Sequence, residues 1–279
     1  MIGVFNEKII CLTFIIITLL VGCGKKTLLS VHIIDVGQGD SILIQTPNKT
    51  NILVDGGDED SSLIIKKFLK SKKVKTIDFV IATHPDTDHI GSLDAVIDKF
   101  EVSKVYLPNK EVNSDSYYNL VQSCSMKNIH PQFLEKGNVI NLDNNIKLTV
   151  LNPSYTHLDN NSNSIVFKLD YGKKSFLFTG DCTLENEQEI LNSFNLSNIN
   201  FLKVAHHGSK SSSGEDFINT ITPDVAVISC GYDNEYGHPH KETLLNLSKT
   251  NTKVYRTDKQ GHLSFYSDGN TITTSSPPK

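Results

Sequence analysis

Four potential metal ligands fall within six residues in the run Thr83-His84-Pro85-Asp86-Thr87-Asp88-His89. Imidazole nitrogens together with carboxylate oxygens suit Zn²⁺, Mn²⁺ or Fe. So tight a turn lets His84 and Asp86 face one cation while Asp88 and His89 face another. Separations of about 3.5–4 Å between cations serve metal-assisted hydrolysis. A polar loop with ordinary surface histidines explains one such residue, not four. Three further pieces carry the same residue types. Gly180-Asp181 offers a carboxylate able to hold two cations together, His206-His207 precedes Gly208-Ser209, and Gly237-His238-Pro239-His240 adds two more imidazoles. Alone, the Gly-Asp is meaningless and the His-Pro-His weak. In this order, and each after a strand, they describe a dinuclear centre.

The elements that must position these residues are legible from the hydropathy pattern. Residues 77–82 read as a buried strand that delivers the first cluster. Residues 31–36, 41–45 and 51–55 read as an antiparallel meander joined by turns at Gly37-Gln38-Gly39-Asp40 and Pro47-Asn48. Further strands are expected at 104–107, 146–151, 164–171, 175–179, 201–204, 225–230, 253–255 and 263–266. Helical spacing marks 61–72, 92–100, 117–125, 184–194, 214–220 and 241–248, whereas 109–145 is otherwise polar and weakly patterned. Strand-rich halves that each carry helices indicate an α/β protein of two packed sheets with helices outside. Lys66, Lys67 and Lys70 make a solvated helix face, with a nucleic-acid patch as the alternative.

A chain of 279 residues suits one large domain, and 17 Gly and 9 Pro exclude a disordered or collagen-like chain. The formal net charge of -4 argues against nucleic-acid binding by bulk electrostatics. Residues 9–21 form an apolar run shorter than the roughly 20 residues a membrane span needs, which fits a signal-peptide core. An uncleaved N-terminal anchor is the alternative, and both place the remainder outside the cytoplasmic membrane. Cys124, Cys182 and Cys230, three in number and widely spaced, are not a disulfide framework, and Cys182 and Cys230 read as core residues.

The small residues before Cys23 resemble a bacterial lipobox, implying a signal peptide at 1–22, a lipid on Cys23 and a short tether at 23–28. The ordered motifs His-x-Asp-x-Asp-His, Gly-Asp, His-His-Gly-Ser and Gly-His-Pro-His resemble the metallo-β-lactamase superfamily. More narrowly, they resemble the hydrolase domain of ComEC-type DNA-uptake proteins, as do Asp35-Val36-Gly37-Gln38-Gly39-Asp40-Ser41, Val54-Asp55-Gly56-Gly57 and Tyr255-Arg256-Thr257-Asp258. The resemblance spans about 29–268, leaving 269–279 as a tail, and implies an αββα sandwich with metals at one edge.

What the resemblance implies is specific. His84 and Asp86 would hold the first of two divalent metal ions, Zn or Mn, and Asp88 and His89 the second. Asp181 would bridge them. His207, with His206 as the alternative, would complete the second site. Asp40 and Asp55 would orient ligands by hydrogen bonds. Asp88, His238 and His240 would take part in catalysis, the two histidines at the mouth as oxyanion donors, a proton donor or an extra ligand. Ser209, Lys210, Ser211 and Ser212 would contact substrate phosphates. Asp86 stands where the broader superfamily usually has His. The histidine often found before the bridging Asp is missing, with Asn163 and Ser164 near its place. The first site is thus rich in oxygen donors, which favours Mn²⁺. The expected activity is that of an extracytoplasmic, membrane-anchored phosphodiesterase or nuclease acting on DNA or a related phosphodiester, with no obligate protein partner. The alternatives are a cell-wall phosphodiester, ester or lactam hydrolase, and a non-catalytic metal-containing binding lipoprotein.

Overall fold

The computed structural model describes residues 28–143, 145–155 and 157–278. The signal peptide read at 1–22 and the lipidation read at Cys23 lie outside the described residues. β1 (Leu29–Ile33), β2 (Ile42–Gln45) and β3 (Asn51–Val54) form the expected antiparallel meander. β4 (Thr76–Ile81), β5 (Glu101–Leu107) and the two-residue β6 (Gln132–Phe133) continue the sheet in parallel. The second sheet begins antiparallel, with β7 (Val139–Asp143), β8 (Ile146–Asn152), β9 (Val166–Tyr171) and β10 (Lys174–Phe178). It ends parallel, with β11 (Phe201–Lys203), β12 (Val225–Ile228) and β13 (Lys253–Arg256). β14 (Leu263–Ser267) returns to pair with β1, and β15 (Ile272–Thr274) pairs with β14. Among the described residues, the sheets thus have eight and seven strands.

Alternation along single strands explains the layering, because successive side chains point to opposite faces. Ile42, Ile44, Ile52 and Val54 face the layer between the sheets, whereas Leu43 and Leu53 face outward. Val225 and Val227 enter the same central layer, with Ala226 and Ile228 on the other side. Phe167, Phe176, Phe178, Phe201 and Phe265 fill the centre, and the Phe167 and Phe178 rings stack 4.8 Å apart.

The outward faces are covered by helices. α1 (Ser62–Ser71), α3 (Leu93–Lys99) and α4 (Asp115–Met126) shield the first sheet, with the four-residue α2 (Thr87–Ile90) between α1 and α3 in the chain. α5 (Leu184–Ser193), α6 (Glu215–Ile221) and α7 (Lys241–Ser248) shield the second, and the short α8 (Thr257–Gln260) follows β13. Helices lie on both outer faces of two packed sheets, the αββα arrangement. Cys182 and Cys230 are buried free thiols, as their surroundings in the sequence suggest, and so is Cys124.

Three of the described strands escape the hydropathy pattern, all at sheet edges. β6 and β7 are the outermost strands of their sheets and leave much of their surface exposed. A strand with little to bury carries little periodicity. β15 lies inside the stretch read as a tail, 269–279, and corrects that reading, since Ile272–Thr274 pair with β14 as its outer edge.

Candidate metal centre

The parallel halves of both sheets aim their C-terminal ends at one edge. β4 leads through Thr83 into His84 and α2; β10 leads into Gly180-Asp181; β11 leads into His206 and His207; and β12 leads into the loop carrying His238. The Asp181 loop is pinned downstream, where Thr183 and Asn186 form a capping box at the start of α5. The paired histidines are turned inward by an unusual backbone. His206 (φ 48°) and His207 (φ 53°) are both left-handed, which is unfavourable for side chains with a Cβ. That turn brings both imidazoles to Asp181.

Seven side chains converge. His84 Nε2 is 3.9 Å and His206 Nε2 3.7 Å from Asp181 Oδ2. His207 Nε2 lies 3.4 Å from Asp181 Oδ2, and His89 Nε2 3.4 Å from Asp181 Oδ1. Asp86 Oδ2 is 3.7 Å from His84 Nε2, and Asp88 Oδ2 is 3.2 Å from His207 Nε2. His84, His89, His207 and Asp181 are buried, whereas Asp86 and Asp88 reach the cleft. Asp88, His89, His207 and Asp181 draw together as one group, and His84 and Asp86 approach Asp181 from the other side. Both of the paired histidines reach Asp181, His207 as the buried one and His206 from the rim.

Hydrogen bonds set the tautomers. His89 Nδ1 donates to Asp55 Oδ2 at 2.9 Å, and His207 Nδ1 donates to the Ser229 carbonyl at 3.0 Å. His84 Nδ1 is 3.1 Å from Thr83 Oγ1, which itself donates to Asp55 Oδ2 at 2.8 Å. Each ring therefore turns its Nε2 into the site, the atom with which such an imidazole binds a metal. His89 Nε2 and His207 Nε2 face each other at 3.3 Å. Bare lone pairs at that distance would repel, so a proton or a metal cation belongs between the two rings. His84 Nε2 and Asp181 Oδ1 are buried without a hydrogen-bond partner. Buried polar atoms without partners are costly, and here both are ligand atoms. Burial alone would lower the pKa of His207, yet Asp181, Asp88 and Asp40 hold it up at about 10. The carboxylates demand positive charge at this spot, and divalent cations fit the donor set.

A buried ion pair underlies the cluster. Lys203 Nζ, at the end of β11, lies 2.7 Å from Asp40 Oδ2 and donates to the Val204 carbonyl at 2.9 Å. Asp40 Oδ1 is 3.6 Å from His207 Nδ1, so the pair sits directly behind that ligand. Lys203 was not singled out in the sequence, although a lysine inside a strand of buried residues is the signal that marks it. Asp55, read in the sequence as orienting ligands, hydrogen-bonds to both Thr83 and His89.

Two groups of expectations change. Asn163 points away from the centre, its amide donating to the carbonyls of His157 and Asp159. Asn160 instead donates to Asp86 Oδ1 at 2.6 Å, and Asn161 lines the cleft. Ser164 does take part, its hydroxyl accepting the Asp181 N–H at 3.2 Å. Of the four residues read as phosphate contacts, Ser209 and Ser212 are buried, and Ser212 donates to backbone carbonyls inside its own loop. Ser211 is engaged by Ser209 and His206, which leaves Lys210 as the free, exposed side chain of the group.

The mouth is lined by Gln38, Tyr236 and His238. Gln38 Oε1 accepts the Gly231 N–H, which turns its amide nitrogen toward His238 Nδ1 at 3.4 Å. His240 Nδ1 accepts the Lys210 N–H at 3.1 Å. With Nδ1 accepting in both rings, each carries its proton on Nε2 as a neutral donor. Burial, with His207, His206 and His240 close by, lowers the His238 pKa to about 4, consistent with that neutral form.

The sequence profile of the Metallo-beta-lactamase superfamily matches residues 34–232. The chain belongs to this superfamily. It is 31% identical over 253 residues to ComE operon protein 3 of Bacillus subtilis, covering 84% of this chain and 32% of that protein. It is 28% identical over 238 residues to Competence protein ComA of Neisseria gonorrhoeae, covering 85% and 32%. The chain thus spans about a third of these curated relatives. Among solved structures, the metallo hydrolase Igni18 of Ignicoccus hospitalis superposes with a TM-score of 0.53 over 85% of this chain and 98% of that one. At 16% identity that likeness establishes the superfamily fold.

Proposed function

We propose that this protein is a metal-dependent hydrolase of phosphodiesters, with DNA as the favoured substrate, held outside the cytoplasmic membrane by a lipid on Cys23. The observation that carries the hydrolase reading is the meeting of His84, His89, His206 and His207 around Asp181. Divalent cations bound there supply acidification of water and neutralisation of charge on a substrate oxygen. His84, Asp86 and Asp181 would hold one cation, and Asp88, His89, His207 and Asp181 the other.

The chain's own residues do the remaining work. Asp55 and the Ser229 carbonyl keep the ligand tautomers, and α5 holds Asp181 in register. Neutral His238 offers an Nε2–H group at the mouth, suited to a phosphoryl oxygen, with the His240 ring 4.9 Å from it. Lys210 adds the one free cation of its loop, in keeping with a grip on one or two phosphates. Similarity to competence proteins supports DNA as the first substrate to try. The purified protein is expected to cleave single-stranded DNA or a simple phosphodiester with Mn²⁺, and His84→Ala to abolish cleavage. A panel with a phosphorylcholine ester, a carboxylic ester and a lactam at fixed metal separates the alternative substrates. Bound metal without turnover on any of them would favour the non-catalytic lipoprotein.

A further inference from the structure

Six lysines fall in ten residues at the end of α1 and the turn after it: Lys66, Lys67, Lys70, Lys72, Lys73 and Lys75. The whole chain carries a net charge of -4, so this is a strong local reversal. Among the described residues, none of the six lies within ion-pair distance of a carboxylate. Lys67, Lys70, Lys73 and Lys75 are exposed, and Lys72 rests its ammonium 5.2 Å from the Phe68 ring centre. Two large aliphatic side chains share the outer face of the helix, Leu63 at 59% and Ile64 at 41% exposure. Helical spacing sets Leu63, Lys67 and Lys70 in one row, while Ile65, Phe68 and Leu69 face the core.

The place of this patch in the fold is defined. The metal ligands follow the C-terminal ends of β4, β10 and β11, whereas Lys75 immediately precedes the start of β4. β1 runs in the same direction as β4, because two antiparallel pairings and one parallel pairing separate them. Leu28 and Leu29 therefore enter the sheet at the lysine-bearing edge, opposite the metal cleft. Lys25 and Lys26 precede them in the sequence.

We infer that this edge docks on an anionic lipid bilayer, with the lysines on headgroup phosphates and Leu63 and Ile64 in the interfacial layer. Cationic side chains mixed with exposed aliphatics are the composition of an interfacial surface. A nucleic-acid backbone has use for the lysines but none for Leu63 and Ile64. A strand bound at this edge would also lie on the far side of the molecule from the cleft. Docking here turns the metal cleft away from the membrane, toward substrate in solution. The inference rests on residues 28–278 and on Lys25 and Lys26, independently of the lipid on Cys23 and of the substrate.

The test uses the full chain reconstituted into vesicles of phosphatidylcholine alone or with one third phosphatidylglycerol. Lysine acylation is followed residue by residue by mass spectrometry. Lys67, Lys70, Lys73 and Lys75 are expected to react several-fold more slowly on anionic vesicles, with the difference erased by high salt. Lys127 and Lys241 are expected to react equally on both. Replacing Lys67, Lys70, Lys73 and Lys75 by Ser should abolish the lipid dependence at Lys66 and Lys72, each lysine contributing about fivefold to attraction. Equal acylation on both vesicle types would overturn the inference. Protection by a single-stranded oligonucleotide, but not by phosphatidylglycerol, would overturn it in favour of a nucleic-acid surface. The folded state of the quadruple variant is checked by its thermal transition, since all four side chains are exposed.

Discussion

Lys203 and Asp40 form a buried ion pair directly behind His207. A buried pair is costly to break from one side, because the remaining charge has neither water nor partner. Lys203→Met is therefore expected to destabilise the fold by about 3–5 kcal/mol in urea unfolding. Adding Asp40→Asn should recover a large part of that loss, and a double variant no better than Lys203→Met would show that the pair is not the cause. His32 gives a separate pH dependence. Burial, with the charge of Lys72 nearby, lowers its pKa from 6.5 to about 3, and its Nδ1 pairs with Ser264 Oγ at 2.8 Å. The folded state thus resists protonation that the unfolded chain accepts. The stabilisation is full above pH 6.5 and drains away as pH falls toward 3, by an amount on the order of a few kcal/mol. Urea titrations between pH 4 and 8 should show the gap between the native chain and His32→Asn narrowing as pH falls; a gap that widens would contradict this.

At the scale of elements, the Gly37-Gln38-Gly39-Asp40 turn and the α2 loop touch through their backbones. Asp40 N–H donates to the Asp88 carbonyl at 3.2 Å, and a Cβ on Gly39 would stand 2.4 Å from that same oxygen. Gly39 also has φ +132°, where side chains with a Cβ are strained. Gly39→Ala is expected to displace Asp88 and lower turnover at least tenfold while metal remains bound at His84, as read by metal analysis alongside kinetics. Unchanged turnover would show that the contact does not set the position of Asp88. The ligand-bearing elements were the most legible in the sequence, since each histidine or carboxylate follows a buried strand with strong periodicity. Asn160 and Lys203 were not, because their roles depend on which loops meet and no local spacing encodes that. Nor did residue type reveal that Ser209 and Ser212 turn inward, since a serine-rich loop reads alike whether it binds substrate or braces itself.

For the whole molecule, two sheets meet at an edge where His84 Nε2 and Asp181 Oδ1 are buried without hydrogen-bond partners and the Nε2 atoms of His89 and His207 face each other. The apo protein holds that arrangement at a cost, and a bound cation relieves it. Ligands that bind only the folded state stabilise by mass action, about 2.7 kcal/mol at a hundredfold excess over Kd. Chelation is therefore expected to lower Tm by several degrees, with recovery on adding Mn²⁺ or Zn²⁺, and Asp181→Asn should blunt the response. A Tm indifferent to chelator and metal would mean that the cluster binds no cation. Catalysis is the central claim and has a direct measurement: hydrolysis of a single-stranded oligonucleotide by the purified full chain with Mn²⁺, Zn²⁺ or Mg²⁺, beside a chelated control and Asp181→Asn. Metal-dependent cleavage that both controls abolish is the predicted result. No cleavage with any of the three metals, from protein shown to contain them, would contradict it.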